Sequence, residues 1–318
     1  MGGTVLILGA SGRFGSAAAD AFWKAGWQVR FFDRKADDLD SAAMGADVIV
    51  NGWNPPYDQW AATVPDLTRQ VIAAARASGA MVIVPGNVYV FGVDAPACFD
   101  ADTPHRATNP LGRIRIEMEE AYRKSGVKTV ILRAGDFIDT ARSDGWLDKI
   151  MLAGLERGRF TYPGDPDQPH AWAFLPDMAR AAVALAEMRH QLSRFEDVPF
   201  PGYTLTGREL AEGVASAYEH RLALRRFNWL PILMLSPFWR MGRHLIEMRH
   251  LWSKPHALDG TRLGELLPEF EATPVQDALS MALNGAQYSQ TDLARAPQSA
   301  KAREKKTPQK LSAARPEF

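Results

Sequence analysis

Residues Thr4–Gly15 read Thr-Val-Leu-Ile-Leu-Gly-Ala-Ser-Gly-Arg-Phe-Gly, an apolar run that ends directly in Gly9, Gly12 and Gly15. An alanine-rich stretch, Ser16–Lys24, follows with the composition of a helix. The pattern is strand, tight glycine turn, helix. Such a turn aims backbone N–H groups and the positive end of a helix dipole at a phosphate. Gly9 makes the turn, Gly12 admits a pyrophosphate to the backbone, and Gly15 lets the helix pack close to the strand. Ser11, Arg13 and Phe14 sit in the same loop and join the glycines as candidate cofactor contacts. The competing reading is a βα turn that holds no ligand. The next apolar run, Gln28–Phe32, ends at Asp33, about where a ribose-binding carboxylate is expected. Asp33 favours NAD, because a carboxylate accepts from both ribose hydroxyls and repels a 2′-phosphate. Arg34 favours NADP, because a guanidinium pairs with that phosphate. The two signals conflict and leave the form open, NAD or NADP.

The chain has 318 residues, enough for one large α/β domain with an appendage or for two domains. Its 37 basic and 37 acidic side chains balance, so nucleic acid is not expected as a partner. Cys98 is the single cysteine, which excludes an intrachain disulfide and a cysteine-ligated zinc cluster. No metal site is expected. Met1–Leu8 lacks the basic end and apolar core of a signal peptide. The most apolar stretch, Trp229–Trp239, is about half a membrane span long and contains Pro231 and Pro237. A cytoplasmic protein without an integral membrane segment is the expectation. With Arg240, Arg243 and His244 after it, that stretch suits a lid, a dimer surface or a membrane-surface helix. Packing inside a small lobe is its expected fate, and a homodimer stays open.

The first half alternates strand and helix patterns. Strands are expected over Gln28–Asp33, Asp47–Asn51, Met81–Pro85 and Thr129–Arg133, with helices over Pro65–Ser78 and Ile114–Ser125. Continuous apolar strands between helices predict an α/β fold, a doubly wound parallel Rossmann sheet. Beyond Phe137 the pattern shifts to Leu147–Arg157 (helix), Arg159–Tyr162 and His170–Phe174 (strands), then Asp177–Met188 and Gly207–Tyr218 (helices). This suits a smaller mixed C-terminal substrate lobe. The expected division is 1–190 for the Rossmann domain, interleaved with a lobe over 191–285. From Ala286 to Phe318 seven Lys/Arg face three acids among few large apolar residues, a basic tail expected to be disordered.

These residues resemble the extended and atypical short-chain dehydrogenase/reductase superfamily, in its epimerase/dehydratase-like branch. Besides the glycine loop, Val88-Tyr89-Val90-Phe91-Gly92 resembles the segment after the family's catalytic serine. Ile131-Leu132-Arg133-Ala134-Gly135-Asp136-Phe137 resembles the stretch beside the nicotinamide. Phe174-Leu175-Pro176-Asp177-Met178-Ala179 resembles the junction before the late Rossmann helix, with Asp177 as its cap. Leu258-Asp259-Gly260-Thr261-Arg262-Leu263 resembles the family's C-terminal end. The resemblance spans about residues 4 to 283.

It implies a Ser or Thr, a Tyr, and a Lys four residues after the Tyr. Alignment on Gly92 puts Asn87 at the serine position. Alignment on Asn109-Pro110 puts Leu111 at the tyrosine and Arg115 at the lysine. Leucine moves no proton. Asn87 can donate a hydrogen bond to a reacting oxygen, and Arg115 can contact ribose hydroxyls. Tyr89 is the candidate replacement acid/base, with a packing role as its alternative; Tyr122 is read as structural. Asn51 and Trp53 follow the third strand, where Rossmann ligands sit. His170 and Trp172 share one face of a later strand and are candidate substrate contacts. The implied function is an NAD(P)-dependent epimerase, dehydratase or reductase acting on a carbonyl or hydroxyl of a small-molecule substrate, with nucleotide sugars among the substrates the resemblance implies. The alternative is a catalytically inactive NAD(P)-binding sensor.

Overall fold

The computed structural model describes residues 2–141 and 143–284. The basic tail expected from Ala286 lies outside the described residues. In chain order, β1 (Thr4–Leu8) leads to α1 (Arg13–Lys24), β2 (Gln28–Phe32), α2 (Leu39–Ala43) and β3 (Val48–Asn51). Then come α3 (Trp60–Ser78), β4 (Met81–Gly86), β5 (Cys98–Phe99), α4 (Pro110–Ser125), β6 (Thr129–Arg133) and β7 (Asp136–Ile138). The second half holds β8 (Arg159–Tyr162), β9 (Pro169–Phe174), α5 (Leu175–Glu187), β10 (Phe195–Pro199), β11 (Tyr203–Thr206), α6 (Gly207–Ala217) and β12 (Ala223–Arg226). Last are α7 (Leu230–Leu235), α8 (Arg240–Met248), β13 (Ala257–Leu258), α9 (Thr261–Leu266) and a helical run over 275–284.

Six strands form one parallel sheet in the order β10-β6-β4-β3-β1-β2. Alternate residues of β1 feed opposite faces. Leu6 and Leu8 join Val71 and Ala74 of α3 and Met118 of α4. Val5 and Ile7 join Phe14 and Phe22 of α1 and Met178 of α5. Both faces are thus covered, which is why the inner strands are continuous apolar runs. The order reverses between β1 and β3, so the crevice for a ligand opens above the Gly9 turn and Gly52.

A second sheet, β11-β9-β7, and the pair β12-β8 build the smaller lobe, while the pair β13-β5 sends Phe99 and Leu258 into the core of the main sheet. The lobe's core gathers Phe160, Tyr162, Trp172, Phe174, Trp229 and Trp252. β10 lies in the main sheet although it follows residue 190, whereas β7 and β9 precede that residue and lie in the lobe.

Three local expectations need correction. α3 starts at Trp60, not Pro65; that proline lies one turn in, where both it and Ala61, whose carbonyl its missing N–H would have met, are exposed. Leu147–Arg157 is a π-helical turn over Leu147–Met151 and a 3₁₀ turn over Leu155–Arg157 rather than one helix; Gly154 lies between them and the left-handed Gly158 ends the second. Trp229–Trp239 does not pack inside the lobe: Trp229 is buried, but Leu230, Leu233, Met234, Leu235, Phe238 and Trp239 are exposed. Among the described residues no helix is long and apolar enough to cross a membrane.

Candidate functional site

The glycine loop has the geometry a pyrophosphate needs. Gly9 has φ +75°, and a Cβ on it would meet the Gly52 carbonyl oxygen at 2.9 Å. A Cβ on Gly15 would overlap the Gly9 carbonyl, so α1 packs on β1 through that glycine. Gly12 is the N-cap of α1, and no side chain caps the helix there. Its first-turn N–H groups have no partner within the helix.

A cleft of about 2090 Å³ opens over this turn. Gly9, Ser11, Gly12, Arg13, Phe14, Arg34, Asn51, Trp53, Asn87, Tyr89 and Arg115 line it, joined by Tyr57, Trp60 and Asp136. Asp33, Gly15, His170 and Trp172 do not. Asp33 closes its own turn: its Oδ1 accepts from Lys35 N–H at 2.9 Å, and its N–H donates to Asp37 at 2.8 Å. Arg34 instead lies over the Trp53 ring at 5.4 Å, so the charge presented at the end of β2 is cationic.

Asn51 spends its side chain inward, with Nδ2 donating to Tyr122 Oη at 3.0 Å and Oδ1 accepting from Trp53 N–H at 3.3 Å. Asn87 stands just past β4. Its Oδ1 accepts from Tyr89 N–H at 3.1 Å, and no hydrogen bond among the described residues engages its Nδ2. Arg133 Nη1 donates to the Asn87 carbonyl at 2.6 Å. Arg115, on α4, is 6% exposed. Its Nη2 donates to the Pro85 carbonyl at 2.7 Å, and its guanidinium lies 5.5 Å from the Trp60 ring. Its Nε is buried without a partner, and burial lowers its pKa from the usual guanidinium range. Leu111 is fully buried in the core and absent from the cleft.

Tyr57 is a residue that the sequence reading missed. Its hydroxyl lies 2.6 Å from that of Tyr89, and Trp60 packs on both rings. Burial raises both phenol pKa values, Tyr89 well above the usual value, so both are protonated at neutral pH. Asp136, from the stretch that the resemblance set beside the nicotinamide, lines the cleft and a small annex that Tyr57 and Tyr89 share.

His170 reaches the cleft only through Asp136, whose carboxylate lies 2.9 Å from its Nε2. His170 stacks on Trp252 at 4.6 Å and approaches Trp172 at 5.0 Å and His256 at 4.4 Å. Trp172 is 1% exposed. Burial, and then the neighbouring His170, pushes the His256 pKa down to about 3. Asp177 does not cap α5. It accepts from Thr273 N–H at 2.6 Å and Oγ1 at 2.8 Å, and so fastens the later chain to the helix.

Behind Asn87, His105, Glu119 and Asp197 converge with metal-like spacing. The Arg133 guanidinium already meets both carboxylates, at 2.7 Å from Glu119 and 2.5 Å from Asp197. A cation therefore stands where a metal would, and the same guanidinium reaches the Asn87 carbonyl.

No protein-family model and no curated protein sequence matches this chain. Solved structures do. MoeE5, described in complex with UDP-glucose and NAD, superposes with a TM-score of 0.71 at 16% identity, over 91% of this chain and 100% of that one. UDP-glucuronic acid 4-epimerase from Bacillus cereus, in complex with UDP-glucuronic acid and NAD, gives 0.71 at 15% identity over 90% and 99%. The human epimerase family protein SDR39U1, with NADPH, gives 0.68 at 18% identity over 88% and 99%. This chain has their fold. Sheet and lobe match over nearly the full length of each, and at such identities the likeness concerns the fold alone.

Proposed function

We propose that this protein is an NAD(P)-dependent oxidoreductase or epimerase acting on a hydroxyl or carbonyl of a small polar substrate, with a nucleotide sugar as the leading class. One observation carries the reading: a single cleft joins the uncapped glycine turn to Asn87, Tyr89 and Arg115. The fold shared with proteins described with NAD or NADPH, two of them with a UDP-sugar, supports it.

Gly12 and the first amides of α1 fit a pyrophosphate, because no side chain fills or caps that cradle. Arg34, stacked on Trp53, would face the adenosine ribose and favours the 2′-phosphate of NADP. Bound there, a nicotinamide dinucleotide supplies hydride donor and acceptor. Arg115 would hold ribose hydroxyls from the floor of the cleft. Asn87 Nδ2 would donate to the reacting oxygen and polarise it. Tyr89, relayed by Tyr57, would pass a proton to that oxygen or take one from it. A cytoplasmic location goes with this reading; Cys98 is a free, exposed thiol.

Calorimetric titration with NAD and NADP, followed by product analysis with nucleotide sugars, ketones and aldehydes, tests the proposal. Absence of binding to either dinucleotide overturns it. Tight binding without turnover on any substrate moves the reading to a dinucleotide sensor.

A further inference from the structure

We propose that the exposed face formed by α7 and α8 docks the protein on an anionic lipid bilayer. The inference stands apart from the chemistry of the cleft. Six of the eleven exposed large hydrophobic side chains of the described residues fall between Leu230 and Trp239. That is a patch rather than scatter. Phe238 is 91% exposed. The chain leaves them outside because α7 has only six residues, with Pro231 in its first turn and Pro237 just beyond its end. Trp229 alone anchors the segment deeply, its indole N–H donating to the Pro163 carbonyl at 2.6 Å.

Charge decides what covers this face. Residues 220–246 hold five arginines, Arg221, Arg225, Arg226, Arg240 and Arg243, and no Asp or Glu. The whole chain has formal charge zero, so the remainder carries 0 − 5 = −5. All five arginines are exposed, and the arginine ion pairs among the described residues all belong to others. Exposed aliphatic and aromatic groups on a stretch of chain that carries five exposed arginines and no acid suit the boundary of an anionic bilayer. The apolar groups enter the acyl region while the cations stay with the phosphates. A second copy fits worse. A closed dimer sets each patch against itself, and would bring two such acid-free arginine sets together. The patch is also continuous with the cleft, since Ile232, Trp239, Met241 and Leu245 line its wall. Docking therefore brings the mouth of the cleft to the lipid surface.

Cosedimentation of the full chain with phosphatidylcholine vesicles, with and without phosphatidylglycerol, tests this. The protein should follow the anionic vesicles at least about tenfold better than the neutral ones, and high salt should release it. Leu235→Glu with Phe238→Glu, and separately Arg240→Glu with Arg243→Glu, should each lower binding by about tenfold. These side chains are exposed, so both double variants should keep the wild-type melting temperature. No preference for anionic vesicles overturns the proposal. Binding that survives both double variants overturns it too, and assigns the attachment to the basic tail. A dimer in analytical ultracentrifugation that Phe238→Glu splits, without vesicle binding, gives the face to a second copy and equally overturns it.

Discussion

The hydroxyl oxygens of Tyr57 and Tyr89 lie 2.6 Å apart beside the cleft, brought together from the loops that follow two neighbouring strands. Two protonated phenols in contact use one proton between them and leave the other to offer to a third oxygen. Tyr89→Phe should therefore lower turnover by about 10²- to 10⁴-fold, and Tyr57→Phe should lower it less. Asn87→Ala should cost on the order of 10²-fold with cofactor affinity unchanged. Steady-state kinetics beside calorimetric cofactor affinities would check all three. Full activity in both phenylalanine variants would leave water as the proton source.

The glycines of the turn should separate binding from folding. Gly12 has an ordinary φ of −81°, and its nearest obstruction is the Gly9 carbonyl oxygen at 3.2 Å. Gly12→Val should abolish dinucleotide binding and leave the circular dichroism spectrum native. Gly15→Ala should instead lower stability by a few kcal/mol, because its Cβ has no room against Gly9. Thermal melts and titrations of the two variants give opposite patterns if this is right.

Cofactor choice should follow the arginine stacked on Trp53. Arg34→Ala should weaken NADP binding by about tenfold or more and leave NAD within a few-fold, because a charge-assisted contact to phosphate is lost. Equal losses for both cofactors would place Arg34 against the adenine alone.

Arg133 is fully buried between Glu119 and Asp197. Arg133→Met would strand two carboxylates, and the expected loss is about 3 to 5 kcal/mol in urea unfolding.

His256 gives the fold an acid-labile element. Its folded pKa of about 3 lies below the ordinary value of 6.5, so the unfolded chain binds the extra proton between them. Stability should be complete above the higher value and fall as pH drops through that window. Between about pH 7 and pH 5 the wild type should lose roughly 2 kcal/mol more than His256→Phe. Denaturant curves at the two pH values measure the difference.

What the sequence disclosed was local. Thr129–Arg133 and Arg159–Tyr162 are strands with the expected bounds, and the glycine turn stands where the motif puts it. Each is decided by neighbours within a few residues. The rest depends on distant partners. Tyr57 meets Tyr89 across 32 positions and Arg133 meets Asp197 across 64. Asp33 shows what motif spacing does not register: its Oδ1 accepts from Lys35 N–H within its own turn. Trp229–Trp239 reads as core by composition, yet two prolines and a six-residue helix keep it outside.

The bond from Arg133 to the Asn87 carbonyl also sets how the turn breathes. The same guanidinium clasps β10 through Asp197 and α4 through Glu119, so the segment carrying Asn87 and Tyr89 cannot open while those elements remain docked. Its amide hydrogens should exchange with solvent only in the rare events that unzip the sheet's outer half, in step with those of β6 rather than with the surface loops.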